Sequence, residues 1–194
     1  DMLPHFKTVQ ICASIDGTGD IVEYVRHGIK WKSWIKNFKD YIFLNKQYGD
    51  YGIAFDLTIT TPGLFSLKEL FDLAVELDVN TLIKTTFAFD STIMMCPQVL
   101  PRVLYNEVLD DIIDYIKPKL IGNEKHSNWI ECLEDLKNRP TFQEQYPNWE
   151  EGLKKGKANL HRVDKWRKNE NVLNEIYLKH NKKIYKWWNN KQII

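Results

Sequence analysis

Three segments within the first 89 residues carry the two-residue period of a β-strand, and the two stretches between them carry the period of a helix. Val9 to Ile15 alternates apolar and polar. Lys30 to Leu44 puts Trp31, Trp34, Ile35, Phe38, Tyr41 and Ile42 on one face, which predicts an amphipathic helix lying on a sheet. Ile53 to Thr60 alternates most cleanly, with Ile53, Phe55, Leu57 and Ile59 one way and Ala54, Asp56, Thr58 and Thr60 the other. Ser66 with Glu69 three residues later predicts a capping box for a helix through Leu77, and Thr81 to Phe89 reads as a third strand. This alternation with short turns predicts parallel strands joined by right-handed crossovers. Parallel strands covered on both faces normally read as continuous apolar runs. Here one face carries Gln10, Cys12 and Ser14, then Asp56, Thr58 and Thr60, then Lys84 and Thr86. Such a face suits the lumen of a barrel that holds a ligand; an Asp56–Lys84 ion pair across neighbouring strands is the purely structural alternative.

The first strand delivers Ser14 and Asp16 to its carboxyl end, where α/β folds place chemistry. Asp16-Gly17-Thr18-Gly19 breaks it, and a loop carrying Glu23, Tyr24 and Arg26 is expected to follow. An ion pair with Glu23 on the same loop is the structural reading of Arg26. Past Asp90 the strand signal does not return. Helices are expected at Val103 to Ile116, at Asn128 to Leu136, and in two pieces from Trp149 to Asn189 broken near Asn169 to Asn171. Arg139 to Trp149 reads as a connector. The sequence thus divides into an α/β part, residues 1–97, and an all-α carboxy-terminal extension, residues 98–194.

Composition narrows the classes. With 43% hydrophobic and 27% charged residues the chain has the make-up of a soluble globular protein. No apolar run approaches the roughly 18 residues of a membrane span, so no membrane partner is expected. Cys12, Cys96 and Cys132 show no metal-binding or disulfide spacing, which points to a reducing, cytoplasmic setting. Charge is uneven: from Lys154 onward 12 Lys and Arg face 3 Asp and Glu, a net of +9, while the preceding 153 residues hold 15 against 23, a net of −8. Residues 154–191 interleave these cations with Trp166, Tyr177, Tyr185, Trp187 and Trp188, a nucleic-acid-binding composition. Leu160, Val163 and Trp166 also recur at helical spacing, so the alternative is a core stripe whose basic face docks on the acidic part.

The order of features resembles a known family. Ser14-Ile15-Asp16-Gly17, a loop ending Glu23-Tyr24-Val25-Arg26-His27-Gly28 and an amphipathic helix resemble the fourth strand–helix unit of radical S-adenosylmethionine enzymes, in the branch with a twitch- or SPASM-like auxiliary region. Asp56 to Thr60 with Leu67-Lys-Glu-Leu70 looks like the fifth unit. Thr81 to Phe89, Met95-Cys-Pro97 and Leu100-Pro101 look like the sixth strand and its exit, and Val163-Asp-Lys-Trp-Arg167 matches more loosely. The resemblance implies parallel βαβαβ units of a partial (β/α)6 TIM-like barrel. It also implies S-adenosyl-L-methionine and a [4Fe-4S] cluster at the strand ends, and a 5′-deoxyadenosyl radical that abstracts hydrogen from substrate. By position, Ser14 and Arg26 would meet the carboxylate end of the cofactor, Asp16 the ribose or substrate, and Thr58 and Thr60 the adenosine. The C-x-x-x-C-x-x-C loop that holds the cluster is not in this sequence, and the asparagine often found after the fifth strand is replaced around Pro62-Gly63. Because the chain opens on Asp1 and enters a strand almost at once, the expectation is a carboxyl half. An amino-terminal barrel half, in the same or a separate chain, would complete it, and the present chain alone would not be competent. The contrasting expectation is a non-catalytic α/β module whose basic tail binds nucleic acid or a partner protein.

Overall fold

The computed structural model describes residues 9–48, 51–85 and 93–190. Strands β1 (Gln10–Ile15), β2 (Gly52–Ile59) and β3 (Asn80–Thr85) form one parallel sheet whose spatial order is the chain order. Between them run α1 (Gly19–Val25), α2 (Trp31–Tyr48) and α3 (Leu67–Glu76). The chain is therefore an α/β protein, as its periodicities predict. The part of the expected third strand from Thr86 to Phe89 lies outside the described residues. Register places Ser14 beside Asp56 and Thr58 beside Lys84.

One face of the sheet is apolar and bears helices. Trp31, Trp34 and Phe38 stack along α2 at 5.7 and 5.2 Å, and Phe38 meets Phe55 of β2 at 5.0 Å. Phe55, Leu57 and Ile59 are fully buried there, each worth about 1.5–3 kcal/mol of apolar burial. Lys39 and Glu76 join α2 to α3 at 3.0 Å. The return into β2 is held by Asn45, whose amide donates to the Tyr51 carbonyl at 2.8 Å and whose oxygen accepts the Tyr51 N–H at 3.1 Å.

Two local expectations give way. Residues 19–25 are helical rather than a loop, which buries Ile21, Val22 and Tyr24. The Ser66–Glu69 box does not form. A 3-10 turn, Pro62–Ser66, runs straight into α3, so the helix start already has a turn in front of it. Ser66 instead donates to the Gly63 carbonyl at 3.1 Å, and Glu69 accepts the Thr18 hydroxyl.

The remainder is helical: α4 (Arg102–Ile116), α5 (Asn128–Asn138), α6 (Phe142–Gln145), α7 (Trp149–Arg167), α8 (Val172–His180) and α9 (Lys182–Trp188). The expected connector thus contains a one-turn helix, started by a Thr141–Glu144 capping box. The tail breaks twice, at Lys168 in a left-handed conformation (φ 59°) and at Asn181, whose side chain accepts from Lys183 and Ile184. Arg102 ties α4 to its successors, donating to the Lys137 and Arg139 carbonyls, each at 2.9 Å, and to Glu144. Trp129 of α5 meets Phe71 edge-on at 5.5 Å. The buried apolar side chains form one cluster from Ile15 to Ile184, drawing on both sides of residue 97.

Trp166 is not core: it is 80% exposed. Leu160, Val163 and Trp166 step by three, and three residues fall short of the 3.6 of one turn, so each step rotates away from the buried side. The inward positions of α7 are Leu153, Gly156, Leu160 and Asp164. Asp164 takes the slot, accepting the Tyr24 hydroxyl at 3.1 Å.

Candidate functional site at the carboxyl end of the sheet

The second sheet face carries Cys12, Ser14, Asp56, Thr58 and Lys84, with Ala54 and Leu82 among them. Cys12 is exposed, Ser14, Asp56 and Thr58 are half-buried, and the Lys84 side chain is 60% exposed. A chain of contacts crosses all three strands: Ser14 Oγ donates to Asp56 Oδ2 at 3.4 Å, and Lys84 Nζ lies 2.6 Å from Asp56 Oδ1. The Asp56–Lys84 pair is thus formed. It neutralises a carboxylate that would otherwise be costly beside buried Ala54.

Asp16 continues past β1 and is 5% exposed. Arg26 grips it side-on, with Nε on Oδ2 and Nη2 on Oδ1 at 3.2 Å. This two-point geometry is the strong form of a guanidinium–carboxylate contact. The ion pair of Arg26 with Glu23 does not occur. Glu23 instead accepts the Trp31 N–H at 2.9 Å at the start of α2, and that amide, with Lys30 beside it, holds its carboxyl below the usual range. The turn at Gly28 (φ 98°) brings α2 back to that point.

The loops after β1 and β2 are locked together. An ideal Cβ at Gly63 would lie 2.5 Å from the Asp16 carbonyl oxygen and 2.7 Å from Thr60 Oγ1, so any side chain there collides. Thr60 Oγ1 accepts the Gly63 N–H at 3.0 Å and is buried, which commits the hydroxyl to its own turn. The structure therefore brings Ser14 and Thr58 to the open polar face and pairs Asp16 with Arg26 at its rim. It withdraws Thr60. At the end of β3, Arg139 donates to Thr85 Oγ1 at 2.6 Å. Arg139 comes from the far end of α5, a placement that no local spacing announces.

The three cysteines form no disulfide; Cys96 is buried with its thiol on Gln98 Oε1 at 2.7 Å. Among the described residues no three His, Cys, Asp or Glu side chains converge to hold a metal ion. The residues present do not fit an iron–sulfur cluster. Ser14 and Thr58 offer half-buried hydroxyls, and Arg26 a guanidinium held on Asp16 through Nε and Nη2.

Beside the site, a cleft of ≈ 650 Å³ separates α1 from α8, lined by Asp20, Glu23, His27, Lys179 and His180 among others. Lys179 approaches Asp20 at 3.6 Å across it, and His180 stacks on Phe65 at 5.7 Å. Among the described residues no helix is long and apolar enough to cross a membrane.

Comparison with protein-family models, with curated proteins and with solved structures returned no match to this chain. The class it belongs to is accordingly stated from its own architecture: an α/β protein with a three-stranded parallel sheet in chain order and a long helical extension.

Proposed function

We propose that this chain forms the last three strand–helix units of a partial (β/α)6 barrel of the radical S-adenosylmethionine kind, and that it supplies part of the cofactor cavity. The observation that carries the reading is the half-exposed polar face on three consecutive parallel strands, Ser14 on β1, Asp56 and Thr58 on β2 and Lys84 on β3. Parallel sheets closed on both sides do not keep such a face. When bound together with its cluster, the cofactor supplies the hydrogen-abstraction chemistry. This chain's part is to bind and orient. Ser14 and Arg26 would hold the amino-acid end, with Asp16 fixing the guanidinium plane, and Thr58 would meet the adenosine side. Thr60 has no role in that contact. The cluster ligands would come from an amino-terminal half outside these 194 residues, in the same polypeptide or another.

The test is the protein expressed with the reading frame upstream of Asp1 and reconstituted anaerobically with iron and sulfide. The expected result is reductant-dependent release of 5′-deoxyadenosine, with Ser14→Ala and Arg26→Ala raising KM for S-adenosylmethionine. Where the upstream frame lacks C-x-x-x-C-x-x-C, the same assay is run with a separate chain that carries it; a reconstituted protein that releases no 5′-deoxyadenosine in either form overturns the proposal.

A further inference from the structure

The cations of the tail divide into two sets. Lys179 lies 3.6 Å from Asp20 and Lys183 2.8 Å from Glu107, so one cation on each of α8 and α9 docks on the acidic part of the chain, while Lys182 and Lys186 have no acidic partner among the described residues. On α7 the unpaired cations share one face. Leu153, Gly156, Leu160 and Asp164 face inward, and the opposite side presents Lys154, Lys155, Arg162 and Lys165. Lys155 pairs with Glu151 at 2.6 Å. Among the described residues Lys154, Arg162 and Lys165 have no acidic partner, nor has Lys168 just beyond the helix. Arg162 donates to Asn159 Oδ1 on its own helix. Lys154 to Lys165 spans about 17 Å at 1.5 Å per residue. Trp166 stands at the end of this row, 80% exposed, within one turn of Arg162.

We infer that this face of α7 binds single-stranded nucleic acid, with Lys154, Arg162, Lys165 and Lys168 on its phosphates and Trp166 stacked on a base. The charge pattern selects a polyanion, because unpaired cations in a row attract phosphates and release their counterions. The tryptophan selects a single strand. An exposed indole offers a flat apolar face that only an unstacked base can cover, whereas a duplex keeps its bases stacked on each other. The same face does not suit insertion into a membrane, since it presents one aromatic side chain and no apolar stripe. The inference does not depend on the barrel reading, since it uses none of Ser14, Arg26 or Thr58.

Fluorescence anisotropy of labelled single-stranded oligouridylate with the full chain tests this. Affinity should fall with salt, with a slope of log K on log salt of about −2 to −3 for three to four phosphates. Trp166→Ala should weaken binding about fivefold to a hundredfold with the slope unchanged. Arg162→Gln with Lys165→Gln should flatten the slope by about 1.4. These side chains are exposed, so circular dichroism should be unchanged in each variant. Binding of a duplex as tight as that of the single strand, or an unaffected Trp166→Ala, overturns the inference. So does equal binding of polyglutamate, which would make the occupant an acidic protein surface. Salt-reversible self-association in sedimentation, lost with Arg162→Gln and Lys165→Gln, would assign the face to the acidic part of a second copy and equally overturn it. No binding at low salt does the same.

Discussion

The carboxyl end of the sheet and the outer face of α7 are both rich in charge, yet they treat it in opposite ways. At the sheet, Asp16 holds Arg26, Asp56 holds Lys84, and Glu69 takes the Thr18 hydroxyl. Along α7, Lys154, Arg162 and Lys165 find no acidic partner among the described residues, and Trp166 is left in solvent beside them. Partnered groups are held in direction and serve as a preset frame. Unpartnered cations on a solvated helix cost little to keep and act at a distance. The first region is a fixed frame of paired groups, and the second a solvated surface of unpaired ones.

The contrast can be broken at its most rigid point. Gly63→Ala forces a methyl group against the Asp16 carbonyl and Thr60 Oγ1, and should destabilise by about 3 kcal/mol in urea unfolding, near the top of the range for overpacking. A smaller but diagnostic loss comes from the bolt between the two regions. Tyr24→Phe removes the hydrogen bond to buried Asp164 and should cost about 2 kcal/mol. Burial raises the Asp164 carboxyl above its ordinary value. Its neutral form is therefore favoured in the folded protein: the stability it lends is full below the ordinary carboxylate pKa and is lost as pH rises through the raised one. In Asp164→Asn that decline should vanish from the stability profile.

The remaining tests have smaller effects. A double-mutant cycle on Asp56→Asn and Lys84→Met should give a coupling of about 0.5 kcal/mol, since the lysine is solvated. Lys165→Glu, on the unpartnered face, should move stability by less than about 0.5 kcal/mol. A large loss there would mean that the α7 face is structural after all, and the contrast would collapse.

What could be read from the sequence followed chemistry that is local. The strand and helix periods mark the order of the sheet, and the two-residue alternation puts Asp56 and Lys84 on one side. Local spacing misled where a competing partner lay elsewhere. Glu69 matched a cap at Ser66 but serves Thr18, 51 residues away. Arg26 had Glu23 close by in sequence, yet Asp16 at the strand end holds it, because Glu23 is needed by the Trp31 amide. Trp166 matched an apolar triplet whose step of three is too short to stay on one side of a helix. Arg139 at Thr85 joins residues 54 apart, and nothing in either neighbourhood marks it.

The Tyr24–Asp164 hydrogen bond joins residues 140 apart, and that separation bears on how the protein is made. On the ribosome, Tyr24 emerges long before α7 exists, and closing so long a loop is entropically slow. Until synthesis passes residue 164, the segment after β1 has its aromatic side chain without the acid that holds it. The Tyr24 contact is therefore expected to settle late in the nascent protein, and a translation stop before α7 should yield a product prone to proteolysis at residues 17–30.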